Sequence, residues 1–105
     1  MKDADQMLVR MAELEIDPAQ IEAYTALLAE EVEASVAKEP GVLMLYAVSV
    51  KGSPEKVRIL EVYASRQAYE AHIQTAHFLQ YKALTATMVT SLTLVDVDPI
   101  ALCAK

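Results

Sequence analysis

Both histidines of this 105-residue chain fall in one short stretch, HIQTAHF, at positions 72 to 78, which also holds the sole phenylalanine, Phe78. Imidazoles can ligate a metal, move protons or steady an anion. Residues five apart on a helix are separated by about 140° of rotation, whereas a metal pair on one face needs a spacing of three or four. His72 and His77 therefore do not make a helical metal pair, and no cysteine or carboxylate lies nearby at a compensating spacing. The expectation is acid–base or anion-binding chemistry without a metal.

Thr75 stands between the two histidines and is a good helix N-cap. A break there puts His72 at the end of one helix and His77 in the first turn of the next. A helix C-terminus favours the imidazolium, and an N-terminus favours the neutral ring. His77 is thus the candidate base and His72 the candidate cation. The plainer alternative is two polar residues at a helix junction, solvated or bonded to nearby backbone.

Glu61 is the third candidate. It interrupts VRILEVYA (57 to 64), where the alternation of a strand puts Val57, Ile59 and Tyr63 on its own face. Carboxylates are seldom buried without a partner, and burial raises their pKa, which suits proton transfer near neutral pH. Alternatively, Glu61 is half exposed and paired with Arg58 or Arg66. Tyr46, Tyr63, Tyr69, Phe78, Tyr81 and Met88 could line a pocket for a small organic ligand, or serve simply as core.

Several chemistries lack their motifs. The chain has only Gly41 and Gly52 and no phosphate-cradling loop, nucleophile elbow or metal cluster in sequence, so no tightly bound metal or nucleotide cofactor is expected. The lone Cys103, two residues before the last position, can form no internal disulfide, and this chain end does not supply the electropositive surroundings a reactive thiol needs.

The elements that must position these groups can be read in order. MLVRMAELEI (7 to 16) alternates as a strand. Asp17, Pro18 and Gln20 signal a helix start, and Ile21, Tyr24, Leu28, Val32 and Ser35 make an apolar stripe on a helix ending near Lys38, before Glu-Pro-Gly. VLMLYAVSV (42 to 50), KGSPEK and VRILEVYA read as a hairpin. Ser65 and Thr75 cap helices from Arg66 to about Gln74 and from Ala76 to about Val89, and SLTLVDVD (91 to 98) is the last strand, closed by Pro99. Strand, helix, strand, strand, helix, strand is the split βαβ order of an α+β ferredoxin-like fold with an antiparallel sheet.

A chain of this length buries one core, so a single domain is expected over 1 to 105, its core at about 7 to 98. Helices cover one face of such a sheet, yet the strands are apolar on both faces and 54% of the chain is hydrophobic. The uncovered face predicts a homodimer. A net charge of −6, with nine scattered basic residues, argues against nucleic acid and anionic membranes as partners. No apolar run is long enough to span a bilayer and no secretory pattern opens the chain, so the expected compartment is the cytoplasm.

EPGVLMLYAV (39 to 48), RILEVYASRQAYEAHIQTAHF (58 to 78) and Tyr81 together resemble the antibiotic biosynthesis monooxygenase (ABM) family of dimeric α/β barrels. The resemblance runs from about Met7 to Asp98. It implies a pocket between sheet and helices, and oxygenation of a phenolic or quinol-type substrate by dioxygen, usually without metal or flavin. It matches the family's polar positions to Glu61, His72 and His77, with Tyr63, Phe78 and Tyr81 as lining. Some relatives isomerise a small phosphorylated hydroxyketone, and others degrade haem with a strand asparagine and a tryptophan that this chain lacks. A non-catalytic ligand-binding dimer is the remaining alternative.

Overall fold

The structure is a computed structural model and describes residues 6–105. Strand β1 spans Leu8–Ile16 and leads through a single 3-10 turn, Pro18–Gln20, into helix α1, Ile21–Lys38. Strands β2 (Val42–Val50) and β3 (Ser53–Tyr63) form a hairpin, helices α2 (Arg66–His72) and α3 (Ala76–Thr85) follow, and β4 (Val89–Val97) closes the sheet. The strand order is β2-β3-β1-β4, every pairing antiparallel. This is the expected α+β ferredoxin-like arrangement.

Local chemistry sets most of the boundaries. Asp17 accepts from the backbone N–H of Ala19 at 3.0 Å and from Gln20 Nε2 at 2.9 Å, so the capping residues wind the 3-10 turn that precedes α1. Ser65 caps α2 by accepting from Ala68 N at 3.0 Å, and Thr75 caps α3 by accepting from Phe78 N at 3.3 Å. Gly52, at φ +85°, takes the left-handed conformation in the β2–β3 turn, where a side chain would be strained.

Several boundaries differ from the sequence reading, and β4 begins at Val89 rather than Ser91. β3 begins at Ser53 and includes Pro54. Its pairing with β1 ends at Lys56, so the missing proline N–H leaves no gap in that ladder. Helix α2 stops at His72, two residues early. Helix α3 stops at Thr85, about four residues early, because Thr87 O accepts from Gln20 Nε2 and Met88 O from Asp17 N, and Val89 pairs with Ile16 as the start of β4.

Side chains on one sheet face pack under the helices. Ala12, Leu14, Ile16, Val57 and Ile59 meet Tyr24 and Leu28 of α1 in one cluster, and Val42, Leu45 and Tyr63 form a second beneath α2. Gly41 permits α2 to approach, since a Cβ there would stand 2.6 Å from Ala68 Cβ. Much of the opposite face is open: Tyr46 (56% exposed) and Val48 (61%) of β2 lie on it with Val95 and Val97 of β4, while Val9 and Val62 on the same face are buried. Among the described residues, no helix is long and apolar enough to cross a membrane.

Candidate functional site

Between the two clusters the core is hollow. A cavity of about 160 Å³ lies between sheet and helices, floored by Ala12, Leu14, Leu45 and Ile59 and roofed by Leu28 and Val32 of α1 and Phe78 and Tyr81 of α3. Leu92 and Leu94 of β4, 44% and 49% exposed, extend its floor past the helices. Into this apolar space project Arg10, Glu31, Glu61, Tyr63, His72 and Lys82.

Glu61 reaches it because the alternation of β3 puts it on the helix-facing side, with Arg10 and Leu45 as cross-strand neighbours. Its Oε1 accepts the hydroxyl proton of Tyr63, two residues on, at 2.8 Å. Burial raises the Glu61 pKa, against the opposing pull of the Tyr63 hydrogen bond and of the positive charge on Arg10. Burial and the adjacent Glu61 carboxylate push the Tyr63 phenol far up, so it remains a donor. Arg10 is itself held at the edge of the cavity by Asp96 Oδ1, at 2.9 Å from its Nε, and by the Tyr69 ring, 4.5 Å below its guanidinium carbon. Arg58 points to the other sheet face and donates to the carbonyls of Val57 and Leu14, and Arg66 is exposed at the start of α2, so neither pairing considered for Glu61 is present; its hydrogen-bond partner is Tyr63.

His72 is 4% exposed, at the C-terminus of α2. Its ring is flanked by Tyr63 at 5.4 Å and Phe78 at 4.9 Å between centroids. Its Nδ1 lies 3.0 Å from Glu39 Oε2 and its Nε2 3.9 Å from Glu31 Oε2. His77, in the first turn of α3, places Nε2 2.6 Å from the same Glu39 oxygen. Glu31 accepts from Ser35 Oγ at 2.9 Å through Oε2, while its buried Oε1 has no hydrogen-bond partner among the described residues. Burial raises the Glu31 pKa, with the Ser35 bond and the two histidines opposing.

Of the residues singled out from sequence, Glu61, His72, Tyr63, Phe78 and Tyr81 meet at the cavity. His77 does not line it; it borders a groove on the outer side of the helices with Glu31, Lys38 and Leu84. Tyr46 is directed away, on the open sheet face, and Met88 packs against the core cluster beside β1. Tyr81 also closes one wall through a 2.6 Å hydroxyl–hydroxyl bond to Tyr24, and burial, with Tyr24 as neighbour, keeps its phenol protonated.

Sequence reasoning passed over Arg10, Glu31 and Glu39. Glu31 carried a signal: it stands three residues after Leu28 and four before Ser35, on the buried stripe of α1. Glu39 belongs to the helix-ending Glu-Pro-Gly and carries no pattern of its own. Chemically, the assembled groups can accept a proton at His72 or Glu61, hold an anion near Arg10 and Lys82, and offer an apolar surface to a small guest.

The sequence model of the antibiotic biosynthesis monooxygenase family matches residues 7–84. Among solved structures, one from Bacteroides thetaiotaomicron, described as a candidate antibiotic biosynthesis monooxygenase, is 47% identical, covers 98% of both chains and superposes with a TM-score of 0.93. A candidate monooxygenase from Lactobacillus acidophilus is 29% identical with a TM-score of 0.84; the match covers 86% of this chain but 43% of that one. One from Caulobacter crescentus, at 23% identity and a TM-score of 0.85 over 91% and 92% of the two chains, shares the fold. Among proteins of curated function, none matches. With its helix-roofed cavity and the family's sequence pattern over residues 7–84, this chain belongs to the antibiotic biosynthesis monooxygenase family.

Proposed function

We propose that this protein is a monooxygenase that oxidises a small, single-ring phenol or quinol with dioxygen by acid–base chemistry, without flavin, nucleotide or catalytic metal. One observation carries the reading: an apolar cavity of about 160 Å³ into which His72, backed by the Glu39 carboxylate, and Glu61, its pKa raised by burial, both project. That volume is close to the roughly 150 Å³ known to accommodate a benzene ring.

His72 takes the phenolic proton at Nε2, and Glu39 at Nδ1 fixes the tautomer and balances the imidazolium charge. This assigns to His72 the base role expected for His77 from sequence, because His72 faces the cavity. The phenolate then gives an electron to dioxygen, the radical pair collapses to a C–O bond, and loss of water leaves the hydroxyquinone. One oxygen atom enters the product and the other leaves as water, and the quinol's own two electrons complete the reduction, so no external reductant is needed. Glu61 and Tyr63 hold a second hydroxyl of the ring, Arg10 and Lys82 favour the anion, and Phe78 and Tyr81 face the ring.

The same reading makes the protein a cytoplasmic homodimer joined through the open sheet face that carries Tyr46 and Val48. Oxygen-electrode measurements on a panel of single-ring quinols test the chemistry. Stoichiometric oxygen uptake, reduced at least tenfold in His72→Gln and Glu61→Gln, supports it, and uptake equal to wild type in both variants removes it. Turnover of a phosphorylated hydroxyketone without oxygen would instead favour an isomerase using the same groups.

A further inference from the structure

We propose that Glu31, His72 and His77 form a binding site for a divalent transition-metal ion of the zinc class, set in the wall between the cavity and the outer groove. One ligand atom from each of these residues lies within 4.8 Å of the others, although they come from α1, the end of α2 and the start of α3.

Two independent features fit a cation. Glu31 is 6% exposed and its buried Oε1 has no hydrogen-bond partner among the described residues. Metal-binding histidines commonly give their remaining ring N–H to a carboxylate, which fixes the tautomer and the ring plane. Glu39 is placed to do so for both rings, at 3.0 Å from His72 Nδ1 and 2.6 Å from His77 Nε2. With Nδ1–H of His72 donated to Glu39, the lone pair sits on Nε2, the atom 3.9 Å from Glu31 Oε2.

Two imidazoles and one carboxylate suit zinc, cobalt or nickel; calcium and magnesium prefer oxygen ligands alone. Bonds of about 2.0–2.2 Å require the three ligand atoms to draw closer together than they stand here. A bound ion would occupy the Nε2 lone pair that the oxygenase reading assigns to the base. The site goes beyond that reading, and the two occupants exclude one another: loading should inhibit.

The test uses the full chain, stripped with chelator and titrated with Co²⁺ in the absence of substrate. Its visible spectrum reports nitrogen and carboxylate ligation, and Zn²⁺ is then added in competition. The expected result is one saturable Co²⁺ per chain, displaced by Zn²⁺, with affinity lowered at least tenfold in Glu31→Gln and in His77→Gln and unchanged in the exposed control Glu30→Gln. Far-UV circular dichroism establishes that each variant is folded, and if one fails to fold the other carries the test. No saturable Co²⁺ signal, or affinity unaltered in the folded variants, would overturn the site. Since binding is read without substrate, its loss leaves the oxygenase reading intact, and absence of oxygen uptake leaves the metal site intact.

Discussion

His72 and His77 meet at a single atom, Oε2 of Glu39, although the two imidazoles lie on different helices and the carboxylate follows a third. One face of the His72 ring environment opens on the cavity, while His77 opens on the outer groove. The carboxylate therefore stands between the cavity and the outer groove.

Replacing Glu39 with glutamine removes the carboxylate that stands within hydrogen-bond distance of both imidazoles. Oxygen uptake should fall by about a hundredfold, the low end of what a positioned acid–base group contributes. KM should change little, because Glu39 does not line the cavity. A KM increase with unchanged kcat would contradict this.

Tyr63→Phe deletes the donor to Glu61 Oε1 and leaves the ring in place. That hydrogen bond pulls the Glu61 pKa down, so its loss should raise the pKa further and move the corresponding limb of the pH–rate profile to higher pH. Stability should drop by about 1–2 kcal/mol in urea unfolding.

The Glu61 carboxyl titrates at higher pH folded than unfolded, so its stabilising contribution is complete below the ordinary value of 4.5 and disappears as pH rises through the folded pKa. Arg10 from β1, Tyr63 on β3, His72 from α2 and Lys82 from α3 face it and oppose the shift. Glu61→Gln does not titrate. Its stability relative to wild type should therefore improve as pH rises from 4 towards neutrality, as read from melting temperatures at each pH.

Gly41→Ala would bring a methyl group to 2.6 Å from Ala68 Cβ, where no flexible side chain can yield. A loss of about 1–3 kcal/mol is expected. Because α2 carries His72, kcat should fall too; equal thermal stability would show that α2 shifts freely.

Val48→Lys places charge on the open sheet face without touching the helix-covered core. Light scattering should report a dimer for the wild type and a monomer for the variant, with the circular dichroism spectrum retained.

Much of this was legible along the chain because it is decided by neighbours. Asp17, Ser65 and Thr75 cap the turns that follow them, and alternation in β1 and β3 assigns Ala12, Leu14 and Glu61 to the covered face. The element order then leads to the fold. The ends of α3 and β3 were misjudged where a distant partner decided: Asp17 and Gln20 hold Met88 and Thr87, and the end of β1 lets Pro54 join a strand.

What only the tertiary structure decided is which charges meet. Helical spacing correctly denied His72 and His77 a common helix face, but the turn between α2 and α3 folds them back onto Glu31 and Glu39, more than thirty residues away in sequence. It also turned His77 out of the cavity and brought Arg10 in beside Glu61. Local preference acts over one turn of helix or one pleat of strand, whereas the protonation and ligands of a buried group depend on whatever charges the packed helices and sheet bring within a few ångströms.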